Sequence, residues 1–254
     1  MIRIVLIGTG NVAVALAREI LDQENLILVK LIGRDQKKLP KDLFAVPFSS
    51  QFNSLSTCEV ILIAVSDHAI QEVSNQLPLT NAVVAHTSGA SSMDLLGKHK
   101  NRGVFYPLQT FSKQRQLSWS KIPILWEGNN GQVNETLETF SQMISPNAVQ
   151  SNEKQRLNMH LAAVLVNNFT NHLFAEAYRF CKSKHVNFEL LLPLIEETTV
   201  KIKQQDPRKS QTGPASRGDM QTIQRHKMVP MTEQLSDIYS LFTSQLLNRK
   251  NEKI

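Results

Sequence analysis

The chain is poor in aromatic residues and in cysteine, and it has no long apolar run. Phe, Trp and Tyr together make up 6% of its 254 residues. A surface that binds nucleic acid by stacking would need more of them, interleaved with basic side chains. The two cysteines, Cys58 and Cys181, lie far apart in apolar segments. They read as buried thiols of a reducing compartment, not as a disulfide framework. No apolar stretch approaches the ~18–20 residues of a membrane span. The run over residues 2–7 is too short for a signal-peptide core and leads into glycines instead of a cleavage site. No His or Cys pair has metal-ligand spacing, and no G-x-x-x-x-G-K-S/T loop for a nucleoside triphosphate occurs. The expectation is a cytoplasmic protein with no metal, no membrane and no nucleic-acid partner.

What is present is an ordinary globular composition, 41% hydrophobic and 20% charged, in a length that suits one large domain or two of common size. The formal charge of +6 is almost wholly carried by residues 201–230, where seven Lys or Arg face two Asp and no aromatic residue. Such a stretch is either a solvated loop or a local positive field for a small anion.

Residues 1–150 alternate strand-like and helix-like pieces. Apolar runs over 2–7, 26–32 and 60–65, broken only by Arg3 and Lys30, suit buried parallel strands, with further candidates at 82–85, 103–106 and 122–126. Helical spacing covers 11–21, 67–76 and 132–144. This pattern predicts an α/β domain with a doubly wound parallel sheet. From residue 151 the strand signals stop. One long helical pattern covers 152–184, apolar on nearly all sides over 161–166 and therefore expected to be buried on nearly all sides. Asn187 is expected to cap a second helix kinked at Pro193, and Asp219 and Thr232 to cap two more. The expected division is 1–150 for the nucleotide domain and 151–254 for an all-helical substrate and dimerisation domain.

Gly8, Gly10 and Ala13 form G-x-G-x-x-A after the first strand and at the mouth of the first helix. In that context the pattern is a dinucleotide fingerprint. Gly8 permits the tight turn, Gly10 lets the backbone approach a pyrophosphate, and Ala13 lets the helix lie close to the sheet. Thr9, Asn11 and Val12 belong to the same loop. The second strand ends on Gly33-Arg34, not on the acidic residue an NAD site wants. A guanidinium can bind a 2′-phosphate bidentately, so NADP(H) is favoured over NAD(H), with Asp35 read as a helix cap. Val65 and Ser66, at the end of a further strand, should lie beside the cofactor, and His68 follows them in the first turn of a helix.

These residues, with His86-Thr87-Ser88-Gly89-Ala90, Phe105-Tyr106-Pro107-Leu108-Gln109-Thr110-Phe111, residues 160–176 and Thr212-Gly213-Pro214-Ala215-Ser216-Arg217-Gly218-Asp219, resemble an uncharacterised bacterial family described as "putative NADP oxidoreductases". Its members combine a Rossmann-like domain with a helical domain of unknown function. The wider similarity is to the 6-phosphogluconate, 3-hydroxyisobutyrate and prephenate dehydrogenases, ketopantoate reductase and pyrroline-5-carboxylate reductase. The resemblance implies NADP(H)-dependent hydride transfer to or from the C=O or C=N of a small metabolite, in a homodimer paired through helical domains. It implies a substrate loop at Ser88 and Gly89, a substrate role for Tyr106, and an Asn beside the substrate at Asn167 or Asn168. The lysine that hydroxyacid dehydrogenases of this group place one turn before that Asn is missing, since Ala163 and Val164 stand there. His160, two turns before Asn167, is the candidate acid/base in its place, with His172 and His86 behind it. Arg217 is a candidate clamp for an anionic substrate. Two alternatives stay open: a non-catalytic dinucleotide-binding sensor, and an oxidoreductase that uses a deazaflavin as second hydride carrier.

Overall fold

The computed structural model describes residues 1–53 and 55–249. The chain divides into two compact units, the first over Met1–Asn167 and the second from Asn168 onwards.

The first unit is built on one eight-stranded sheet in the order β3-β2-β1-β4-β5-β6-β7-β8. Its strands are β1 (Ile2–Ile7), β2 (Leu26–Ile32), β3 (Phe48–Ser49), β4 (Val60–Ile63), β5 (Val83–His86), β6 (Arg102–Pro107), β7 (Ile124–Gly128) and β8 (Ala148–Gln150). The helices α1 (Asn11–Asp22), α2 (Ile70–Gln76) and α3 (Gly131–Ile144) cover it. Strand periodicity explains the layering. Ile4 and Leu6 of β1 face a core shared with Leu16, Ile20, Phe105, Leu137 and Phe140. Val5 and Ile7 face a second core with Ile61, Ile63, Ile70, Val73 and Leu77. The sheet is mostly but not wholly parallel, because β7 runs antiparallel to β6. Local apolar pattern marks a strand but not its direction.

The last α-helix of the first unit is α4 (Glu153–Ala163), whose start carries a full capping box between Asn152 and Gln155. A π-helical segment, Val164–Phe169, joins α4 to α5 (Thr170–Ser183). In the single chain this stretch is not buried all round: Leu161, Leu165, Val166 and Phe169 are 52–73% exposed.

The second unit continues with α6 (Leu192–Gln204), α7 (Pro214–Arg217), α8 (Met220–Lys227) and α9 (Glu233–Arg249). Asn187 caps a short 3-10 turn and not α6 itself. Pro193 therefore falls in the first turn of α6, where its missing N–H costs nothing, and produces no kink. Asp219 caps α8 by accepting the Thr222 N–H at 3.0 Å. Among the described residues no helix is long and apolar enough to cross a membrane. Cys58 and Cys181 are free thiols.

Candidate active site

The strand order reverses between β1 and β4, and such a switch point leaves a crevice at the carboxyl ends of the strands. A cleft of about 800 Å³ opens there. Gly8, Thr9, Gly10, Asn11, Val12, Gly33, Arg34, Val65 and Ser66 all line it, together with Lys38, Asp67, His68, Glu72 and Thr87. Ala13 lies beneath the loop, fully buried.

Each part of the fingerprint has a physical reason to be small. Gly8 sits at φ +135°, and a Cβ there would stand 2.1 Å from the Ala64 carbonyl oxygen. Gly10 has nothing within 4 Å of the place a Cβ would take, so the space over its backbone is free for a ligand. Gly10 is also the N-cap of α1 and supplies no side-chain cap, and the first turn holds no acidic residue. The N–H groups at that helix end are therefore available to an anion, with the helix dipole behind them. At the end of β2, Arg34 is exposed on the cleft wall. The Asp35 carboxylate is turned back to accept the Lys37 N–H at 2.9 Å and caps the 3-10 turn that follows. This donor set fits a dinucleotide with a further phosphate: amides for the pyrophosphate, Arg34 and Lys38 for the additional charge.

Past Thr87 the loop after β5 is tightly built. His86 is fully buried. Its Nδ1 accepts the Ser88 N–H at 3.2 Å, which leaves Nε2 to donate to the Ser92 carbonyl at 3.3 Å. Burial, helped by the nearby Arg156 charge, pushes its pKa down to about 4, so the ring is neutral and serves the loop. The Ser88 hydroxyl donates to Ser91 Oγ at 2.9 Å and accepts the Ser91 N–H at 3.0 Å. It is spent inside its own turn.

Gly89 brings two distant side chains together. Tyr106, near the end of β6, and His160, on the last turn of α4, meet there with 3.0 Å between Tyr106 Oη and His160 Nδ1. Their rings pack edge to face at 5.8 Å. A Cβ on Gly89 would stand 2.6 Å from Tyr106 Cζ and 2.8 Å from His160 Nδ1. Burial first, and the Asp67 charge second, raise the pKa of the Tyr106 phenol.

The fixed position of His160 comes from one turn earlier on α4. Arg156 is fully buried. It pairs with Glu127 of β7 and donates to the Ser91 carbonyl at 2.8 Å. Glu153 accepts the Ser92 hydroxyl at 2.8 Å. Sequence reasoning misses both Arg156 and Glu127. The one signal it offers is the i, i+4 spacing of Arg156 and His160, which places both on one helix face.

Ser88, Gly89, Tyr106 and His160 are thus neighbours. Asn167 and Asn168 are exposed on the π-helical segment. His172 lies 3.7 Å from Glu176 on α5. Arg217 is exposed at the end of α7, while Arg208 pairs with Asp206. Among the described residues no group of His, Cys, Asp and Glu could hold a metal ion.

Residues 122–246 match the family model "Domain of unknown function (DUF2520)". No curated protein matches the chain. Among solved structures, the "putative NADP oxidoreductase" of Bacteroides fragilis is similar at 29% identity and a TM-score of 0.87 over 98% of both chains. A reductive aminase from Aspergillus terreus, in complex with NADPH and ethyl levulinate, superposes at 11% identity and a TM-score of 0.70, covering 98% of this chain and 94% of that one. The 1-pyrroline-5-carboxylate reductase of Streptococcus pyogenes superposes at 13% identity and a TM-score of 0.62 over 99% of both chains. Residues 122–246 thus carry the DUF2520 domain, and the whole chain is similar to the "putative NADP oxidoreductase" of Bacteroides fragilis, on a fold shared with the 1-pyrroline-5-carboxylate reductases.

Proposed function

We propose that the chain is an NADP(H)-dependent oxidoreductase that moves a hydride to or from the C=O or C=N of a small anionic metabolite. The observation that carries this is the cleft itself. An uncapped helix N-terminus and an open Gly10 face it, and Arg34 stands at the end of β2 with the neighbouring carboxylate turned away into a cap. The name of the Bacteroides fragilis protein and the NADPH bound to the Aspergillus terreus enzyme support the same cofactor. The anionic substrate is supported by the cationic segment 201–230.

The test is a fluorescence titration with NADPH, NADP, NADH and NAD, before and after Arg34→Ala. NADPH should bind tightest, and the variant should lose about tenfold or more of that affinity, or ~1.4 kcal/mol. Failure to bind any of the four removes the reading.

We further propose a homodimer paired through the helical part. Leu161, Leu165, Val166 and Phe169 lie exposed along consecutive turns, and an apolar stripe of this kind on a single chain marks a protein contact. A monomer in sedimentation at micromolar concentration would exclude it.

A further inference from the structure

We propose that Tyr106 is the proton donor of this reaction and that His160 supplies Tyr106 with its proton. The proposal rests on the hydride-transfer reading above and assigns the chemistry that the missing lysine leaves open.

The first argument is place. The cleft runs from Arg34 at the end of β2, past the Gly8 loop, to Ser66, Asp67 and Thr87 at the ends of β4 and β5. A dinucleotide with its phosphates at Arg34 and at the start of α1 has its second base at the β4–β5 end. Two residues beyond Thr87, Gly89 packs against Tyr106 and His160.

The second argument is elimination. At that end the Ser88 hydroxyl is used within its turn, and both ring nitrogens of His86 are engaged by the loop. The Arg156 guanidinium is buried against Glu127 and the Ser91 carbonyl. Of the proton-carrying side chains packed around Gly89, the Tyr106–His160 pair is the one not engaged by the loop.

The third argument is chemical. NADPH, when bound, supplies the hydride. As the substrate carbon receives it, the C=O or C=N π pair moves onto the oxygen or nitrogen, and the Tyr106 O–H bond breaks to protonate that atom. The phenolate left behind takes a proton from Nδ1 of a protonated His160, 3.0 Å away. His160 keeps its Nε2 proton, becomes neutral and, being half-buried, regains the lost proton from solvent. Oxidation runs the same transfers backwards. Burial keeps the Tyr106 phenol protonated between turnovers, and a cation at His160 stabilises the phenolate that forms. Asp67 at the β4 turn acts on Tyr106 by its charge, Arg156 with its partner Glu127 sits one turn from His160 on α4, and neutral His86 holds the loop that carries Gly89. His160 thus acts through Tyr106 and not on the substrate.

The first measurement requires no substrate. The His160 ring nitrogen resonances are recorded by NMR in the protein with and without NADPH. Tyr106→Phe should displace the Nδ1 resonance, and an undisplaced resonance overturns the coupling. NADPH oxidation is then followed with a panel of α-keto acids and cyclic imines. Tyr106→Phe should slow turnover by about 10²–10⁴-fold with NADPH affinity unchanged. His160→Asn keeps an N–H near the Nδ1 position but does not titrate. It should retain part of the rate and lose the fall in reduction rate at high pH. Wild-type turnover that Tyr106→Phe leaves intact, or a high-pH fall that survives in His160→Asn, overturns the relay and spares the oxidoreductase. A wild type that binds NADPH but turns over nothing in the panel overturns both.

Discussion

Arg156 and His160 stand four residues apart on one face of α4, and each is gripped by a different part of the sheet unit. Arg156 is held by Glu127 on β7 and the Ser91 carbonyl, and His160 by Tyr106 on β6. A helix fixed at two successive turns has little freedom to rotate or slide, so the proton-carrying ring is presented by a rigid element. Removing Arg156 strands Glu127, whose side chain is 19% exposed, without its partner. Arg156→Met should therefore cost about 3–5 kcal/mol, as breaking a buried pair does. Glu127→Gln with Arg156→Met should recover part of that loss. Urea denaturation of the single and double variants checks both values.

The two glycines of the fingerprint should fail in opposite ways. Gly8→Ala forces a side chain into φ +135° and into the Ala64 carbonyl. It should lose roughly 1–3 kcal/mol to backbone strain alone, with the steric overlap added. Gly10 sits at φ −78°, which alanine adopts freely, and has open space around its Cβ position. Gly10→Ala should keep its melting temperature and lose NADPH affinity by about tenfold or more. A Gly10→Ala protein that binds NADPH like wild type would mean that the pyrophosphate does not cross this loop.

How much of this is legible in the chain depends on distance along it. The Gly8–Ala13 loop, the Asp35 cap and the Asn152 cap are local, and their residue types report their geometry directly. So do the long apolar strands. The two-residue β3 and three-residue β8 are too short for any period to show. The antiparallel direction of β7 depends on pairing with β6, which no local pattern encodes. Tyr106 and His160 can each be singled out, but not as a pair, because 54 residues separate them. Arg156 and Glu127 are separated by 29, and a charged residue near a helix start reads as solvated. The apolar stretch of α4 and α5 reads as buried from its composition. The single chain leaves it exposed, because a sequence does not say whether the cover comes from its own chain.

Gly89 tests whether the pair is a built feature. An alanine there overlaps Tyr106 Cζ at 2.6 Å and His160 Nδ1 at 2.8 Å, so one ring must move. Gly89→Ala should cost about 1–3 kcal/mol, as overpacking does, and should part the two rings. The His160 Nδ1 resonance in Gly89→Ala should then match that of Tyr106→Phe. A wild-type resonance would show that the contact reforms around the methyl group, and that the glycine is needed only for its own turn.

His86 should make the protein sensitive to acid. Its pKa falls from the ordinary 6.5 to about 4 on folding, chiefly through burial and then through the Arg156 charge. The unfolded chain therefore binds a proton that the native chain refuses. The resulting stability is fully present above about pH 6.5 and is lost as the pH falls towards 4. Between about pH 7.5 and pH 5 this one ring should account for about 2 kcal/mol of lost stability. His86→Gln keeps hydrogen-bonding groups for Ser88 and Ser92 but cannot titrate. It should be less stable than wild type at pH 7.5 and should lose about 2 kcal/mol less on going to pH 5. Urea unfolding of both proteins at the two pH values gives the difference directly, and parallel losses would show that His86 takes up its proton in the native state as readily as in the unfolded one.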